Sequence, residues 1–206
     1  NETPFKVTIK IAAVPDAPVI TAIDPICLDS DPVELTVNTP TNEQEKWIGT
    51  GKFVGDFVKY DANSKPVFDP KEAGKAGDFI IKYDFSPCGC HKASELTIRV
   101  NDLPTVKVAV DKPTICSGTE AKFTASPATT TASPYTYSWT INGASQTETG
   151  ATFTEKQATS NVNASVMVTD GNGCTSKNAA EATVTVQQAP AAPVATDFAS
   201  CVKQGT

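Results

Sequence analysis

The chain reads as all-β: two β-sandwich modules in a linear array, with a strand of a neighbouring module at either end. Three observations predict this. Threonine supplies 28 of the 206 residues, whereas methionine and arginine, which favour helix, supply one each, a balance that suits pleated sheet. Fifteen prolines and 12 glycines cut the chain into short runs, and within those runs apolar and polar residues alternate with the period of two that a half-buried strand requires. Finally, a strand, a proline-bearing linker and a cysteine recur in that order three times.

The recurrence sets the domain plan. Thr8-Ile9-Lys10-Ile11 returns as Thr97-Ile98-Arg99-Val100 and as Thr183-Val184-Thr185-Val186, at steps of 89 and 86 residues. Linkers with proline follow at 13–18, 101–104 and 188–193, and cysteines follow those at Cys27, Cys116 and Cys201. Solenoid repeats run about 20–50 residues, so a longer period suits a small domain. The phase predicts the last strand of an upstream module in 1–13, a complete module in 14–101, a second in 102–188, and the first strand of a downstream module in 189–206. The chain is therefore expected to be a segment of a longer array. A single barrel of 206 residues is the competing architecture, and the internal repeat argues against it.

The strands follow in order. In the first module, Val33-Glu34-Leu35-Thr36-Val37, a strand around Trp47, Phe79-Ile80-Ile81-Lys82-Tyr83 and the run 96–100 fit sheet. In the second, Val106, Val108 and Val110 alternate with Lys107 and Ala109, and the runs 120–125 and 135–141 follow. Asn142-Gly143, the pair favoured in tight hairpins, turns the chain. Runs at 152–154, 164–169 and 182–186 complete about seven short strands, the number and spacing of an immunoglobulin-type sandwich.

Some runs are specific enough to suggest relatives. Trp47-Ile48-Gly49-Thr50-Gly51, then Val67-Phe68-Asp69-Pro70-Lys71-Glu72-Ala73-Gly74, then Ile80-Ile81-Lys82-Tyr83, resemble Ig-like repeats of secreted Bacteroidota proteins. The second module is similar to the PKD-like repeats of the same proteins, through Ile115-Cys116-Ser117-Gly118-Thr119, Tyr137-Ser138-Trp139 and Val168-Thr169-Asp170-Gly171-Asn172-Gly173-Cys174. Such arrays occur in very large cell-surface adhesins, including those of gliding motility, exported by the type IX secretion route, and as spacers beside enzymes. The resemblance implies an extracellular, cell-surface context and leaves activity open. The first module departs from the pattern in carrying Cys88 beside Cys90.

Six cysteines in such a chain point to an oxidising compartment and to disulfides. Two arrangements are open. Bonds within modules would join Cys27 to Cys90, or to Cys88, and Cys116 to Cys174. Strand directions favour another pairing. Cys27 and Cys116 precede the second strand of their modules and fall at one end, while Cys90 and Cys174 follow the penultimate strand and fall at the other. Strands of five or six residues hold those ends ~17–20 Å apart, whereas a disulfide needs Cα atoms within about 7 Å. In an array the two kinds of end meet at the module boundary, which pairs Cys27 with Cys174 and sends Cys116 to a cysteine further along.

Composition and motifs bound the function. A net charge of −6 with a lone arginine is a poor match for phosphate backbones, so no nucleic-acid partner is expected. No apolar run approaches the ~20 residues of a membrane span. Nucleophile elbow, zincin, P-loop and dinucleotide motifs are missing, and the only histidine, His91, lies beside cysteines. Cys88-Gly89-Cys90-His91 lacks the second ligand pair of a zinc site. Asp170-Gly171-Asn172-Gly173 looks like a calcium loop, but Cys174 stands at a ligand position and no closing glutamate follows, so a tight turn is the better reading. Glu43 with Glu45, and Asp29 with Asp31, are read as solvated. Trp47 and Trp139 are read as core residues before sugar-stacking ones. We therefore expect no enzyme activity, no cofactor and no metal. The expected role is a spacer of a surface adhesin whose partners are neighbouring modules of its own chain. The alternative is a carbohydrate-binding accessory module of a secreted hydrolase, with Phe57 and Tyr60, in the irregular stretch 52–65, contacting a surface polysaccharide.

Overall fold

The computed structural model describes residues 4, 6–8, 18–38, 51–85 and 92–192. Trp47, Cys88, Cys90, His91 and Cys201 lie outside the described residues, as does most of the two neighbouring-module strands expected in 1–13 and 189–206. Among the described residues the fold is all-β, with one helical turn. The chain divides into two compact units that are not contiguous in sequence. Unit 1 is Asn1–Thr105 together with Thr129–Tyr135 and Thr169–Lys177; unit 2 is Val106–Ala128, Thr136–Val168 and Asn178–Thr206.

In unit 1 the strands are β1 (Val19–Ile20), β2 (Ile26–Cys27), β3 (Val33–Glu34), β4 (Val37–Asn38), β5 (Lys52–Val54), β6 (Val58–Tyr60), β7 (Pro66–Phe68), β8 (Gly77–Phe85) and β9 (Lys92–Asn101). They form sheets in the orders β2-β9-β8-β5, β3-β7-β6 and β1-β4. The long hairpin β8–β9 pairs Gly77 with Val100 through Phe85 with Lys92. Its inward residues Phe79, Ile81, Ile98 and Val100 pack with Phe68, Leu35 and Phe53 into one apolar cluster. The strand expected over 33–37 is interrupted. Leu35 is buried and its N–H donates to the Pro66 carbonyl at 2.8 Å, so β3 pairs with β7, while β4 turns to pair with β1.

The motif Asp69-Pro70-Lys71-Glu72-Ala73-Gly74 forms the helical turn α1 (Pro70–Ala73), which alternation did not predict. Asp69 is its N-cap and accepts from the Lys71 N–H, proline occupies the first turn, and Gly74 at φ 63° ends it in the left-handed region. Lys71 Nζ reaches Asp31 Oδ1 at 2.7 Å. That bond lowers the pKa of Asp31 and raises that of Lys71.

In unit 2 the strands are β10 (Val106–Val110), β11 (Thr114–Cys116), β12 (Thr119–Pro127), β13 (Thr136–Ile141), β14 (Ala144–Ser145), β15 (Thr152–Ala158), β16 (Val162–Thr169) and β17 (Ala180–Gln187). They form sheets in the orders β10-β12-β15 and β11-β17-β16-β13-β14. This is the strand order of an immunoglobulin-type sandwich. Ala121, Phe123 and Ala125 on β12, Tyr137, Trp139 and Ile141 on β13, and Val162, Ala164, Val166 and Val168 on β16 are all buried, while most of the residues between them are exposed. The period-two pattern therefore sorts core from surface as expected. Trp139 is fully buried, donates its indole N–H to the Gly150 carbonyl at 2.9 Å and lies 6.0 Å from the Phe153 ring. Asn142 and Gly143, at φ 49° and 83°, turn β13 into β14 as a two-residue hairpin whose hand matches sheet twist.

One feature of both repeats escaped the sequence reading. The short strands β2 and β11 run parallel to the last strand of their own repeat. Two or three residues are too few to show alternation, and parallel pairing leaves no turn signal.

Candidate functional site

Two places deserve a functional account: the cysteines, and a cleft in unit 1. Cys27 ends β2, opposite Asn101. Cys174 closes a hairpin after β16, in which Thr169 and Thr175 form an antiparallel bridge. The hairpin is held from within. The Asp170 N–H donates to the Cys174 carbonyl at 2.9 Å, the Gly173 N–H to the Asp170 carbonyl at 2.9 Å, and Asp170 Oδ1 accepts from the N–H groups of Asn172 and Cys174, each at 3.0 Å. These bonds make it a tight turn. Among the described residues no group of three or more His, Cys, Asp or Glu is placed to hold a metal ion.

Cys27 and Cys174 form a disulfide with Cα atoms 5.6 Å apart, across 147 residues of sequence. Both belong to unit 1. The alternative in which Cys174 bonds Cys116 does not occur; Cys116 is a free, exposed thiol at the end of β11. Cys174 is fully buried, and Asp170 and Ser176 beside it are buried too. The hairpin has a neighbour in unit 1, the segment Thr129–Tyr135. The Gly171 N–H donates to the Ala132 carbonyl at 2.7 Å, and the Tyr135 hydroxyl closes that segment by donating to the Thr131 carbonyl at 2.8 Å. Thr129 Oγ1 accepts the Thr105 N–H at 2.9 Å. Sequence reasoning had no signal for residues 129–134, which carry neither alternation nor a motif.

The cleft has a volume of about 580 Å³ and is lined by Gly55–Phe57 and Lys75–Ile80. Gly55, at φ 156°, lets the end of β5 approach β8: a side chain there would press on the Ile80 carbonyl and on Ile81. Phe57 is left-handed at φ 62° without being glycine, a conformation that costs about 1–3 kcal/mol and persists where surroundings impose it. Its carbonyl accepts the Asp69 N–H at 3.1 Å, and its half-buried ring meets Phe79 edge-on at 5.6 Å. Asp56, Lys75 and Asp78 line the same cleft, the last held by Arg99 at 3.1 Å. An aromatic face beside carboxylates and an ammonium can stack on a sugar ring and bond its hydroxyls. Of the two expected glycan contacts, Phe57 lines the cleft. Tyr60 does not; it is exposed at the end of β6. Near it lies Tyr83, whose phenol is pushed up chiefly by burial and further by Tyr60. Lys75 and Asp78 were not anticipated: Lys75 follows a helical turn that alternation does not show, and Asp78 lies at the start of β8 outside any motif.

No family model matches the sequence, and no curated protein matches it. Among solved structures the chain is similar to the fibronectin(III)-like modules of Clostridium thermocellum CbhA, with 14% identity, 87% of this chain and 100% of that chain covered, and a TM-score of 0.42. It is similar to a Ca2+-stabilized adhesin with which an Antarctic bacterium binds ice, with 17% identity, 86% of this chain covered and a TM-score of 0.45, and it spans half of that chain. It is also similar to extracellular domains 3–5 of Drosophila OTK, with 13% identity, 84% of this chain and 60% of that chain covered, and a TM-score of 0.40. The assignment to the immunoglobulin type rests on the strand orders and registers given above.

Proposed function

We propose that this chain is a non-enzymatic segment of a long extracellular surface protein, a spacer whose modules, 14–101 and 102–188, extend and present an adhesive part elsewhere. The observation that carries this reading is the Cys27–Cys174 disulfide, which ties a residue of the first sequence repeat to one of the second. Such a bond needs an oxidising compartment, and in the chain-entropy account closing so long a loop stabilises by up to about 5 kcal/mol. It also suits a filament under drag, because a covalent tie between repeats resists peeling apart. The motif strings that resemble gliding-motility adhesins of Bacteroidota, exported by the type IX route, support the same context. Small-angle scattering of the purified chain tests the reading. We expect an elongated profile with a long dimension near two sandwich lengths that persists when the chain is oxidised; a compact globule would overturn it.

A second reading is favoured by one observation, the cleft that holds Phe57 among Asp56, Lys75 and Asp78. In that reading the first module contacts a polysaccharide, as accessory modules of secreted hydrolases do.

A further inference from the structure

We propose that Cys116 is the covalent acceptor for a hairpin of the Asp170–Cys174 kind carried by a further repeat, so that the Cys27–Cys174 bond recurs one repeat along. The inference rests on the spacer reading above and adds a bonding site and the chemistry of its partner.

An exposed thiol alone says nothing about a partner. Here the first repeat serves as the comparison, because its cysteine in the same position is already bonded. Cys27 ends β2 and Cys116 ends β11, and the registers match residue for residue. Ile26 lies opposite Val100 and Cys27 opposite Asn101, as Ile115 lies opposite Val186 and Cys116 opposite Gln187. The next residue repeats the same hydrogen bond: the Leu28 N–H donates to the Asn101 carbonyl at 3.0 Å, and the Ser117 N–H to the Gln187 carbonyl at 2.8 Å. The backbone thus presents both cysteines from one strand position. One is bonded to a hairpin cysteine; the other is free and exposed.

The bonded partner defines what Cys116 would take. The hairpin closes itself through Asp170, whose carboxylate and backbone satisfy the turn from within. A hairpin with that Asp-x-x-x-Cys spacing in another repeat would be organised before it met Cys116. The bond forms between the two sulfur atoms. Two electrons and two protons leave the thiol pair for a disulfide oxidant, an oxidised thiol–disulfide oxidoreductase or oxidised glutathione, which departs as two thiols.

The test uses the whole chain lengthened after residue 188 by a second copy of residues 102–188, refolded in a glutathione redox buffer and mapped by non-reducing peptide mass spectrometry. We expect Cys27–Cys174 to be retained and Cys116 to be bonded to the hairpin cysteine of the added copy. Alkylation of Cys116 should then fall about tenfold or more relative to the chain without the copy, since only the free thiolate reacts. A Cys116→Ser version should leave the added hairpin cysteine alkylatable. If Cys27–Cys174 is present and Cys116 still alkylates freely, or scatters among other cysteines, the proposal is overturned while the spacer reading stands. If Cys27–Cys174 is missing as well, both fall.

Discussion

Asp170 and Cys174 bind each other twice: the Asp170 N–H donates to the Cys174 carbonyl at 2.9 Å, and Asp170 Oδ1 accepts the Cys174 N–H at 3.0 Å. The same oxygen also takes the Asn172 N–H, so one buried carboxylate organises the turn that carries the disulfide. Asp170→Ala removes the acceptor and strands two N–H groups, at a cost of about 1–3 kcal/mol. The hairpin should then open locally more often. We expect Cys27–Cys174 to be reduced faster by dithiothreitol in the variant, read by timed alkylation. An unchanged rate would show that the disulfide does not depend on the carboxylate.

Gly171 sits against a backbone rather than in open space. A methyl group at this position would overlap the Ser133 carbonyl, and the Gly171 N–H already bonds Ala132. Gly171→Ala should therefore destabilise by about 1–3 kcal/mol through overpacking. Gly173 offers a contrast: it has φ 81° and nothing within reach of an added side chain. Gly173→Asn, which tolerates the left-handed region, should cost much less. Denaturant midpoints of the two variants check the order; equal losses would contradict the packing argument.

Tyr83 supplies a pH dependence. Burial raises its phenol pKa above the ordinary value of 10.0, so the folded state favours the neutral form more than the unfolded chain does. The stabilisation is complete below the unfolded pKa and is lost as pH rises from there through the folded pKa. The melting temperature should fall more steeply above about pH 10 in the native chain than in Tyr83→Phe. Parallel curves would remove Tyr83 as the cause. The ring itself should be kept in this test, because Phe53 meets it edge-on at 4.9 Å and Gly51 lies against it.

The cleft and the exposed face of β6 give different expectations for glycan binding. Phe57 lines the cleft, whereas Tyr60 stands outside it. If the cleft takes a polysaccharide, Phe57→Ala should abolish retention in a polysaccharide pull-down, and Tyr60→Ala should leave it within about twofold, since an exposed side chain away from the ligand contributes little. Circular dichroism shows whether each variant is folded. Loss in Tyr60→Ala alone would move the site to β6, and no binding by the native chain to any polysaccharide leaves the spacer reading by itself.

Much of the fold was legible because its signals are local. Alternation marked β10, β12, β13 and β16 to within a few residues, since each side chain's face follows from its parity in the strand. Asn142-Gly143 announced its hairpin because few other pairs accept two positive φ angles. The helical turn at 70–73 is written in the sequence as Asp-Pro followed by Gly, a cap pattern inside the Val67–Gly74 motif. Phe57 was singled out as an aromatic in an irregular loop, but nothing local foretold its left-handed backbone or the charges of Lys75 and Asp78 beside it.

The cysteines mark the boundary between the two kinds of knowledge. Their spacing and the chain's composition pointed to disulfides and left two admissible pairings, because those depend on order along the chain and on strand direction. Which sulfur meets which depends on distance, and distance across 147 residues is set by how sheets, turns and loops pack. The folded chain carries Cys174 on a hairpin held by Asp170 and seated against 129–135, bonded to Cys27, while Cys116 stays a free thiol. Residues 129–134 have no pattern of their own, and they are ordered by bonds to Thr105, Gly171 and Tyr135.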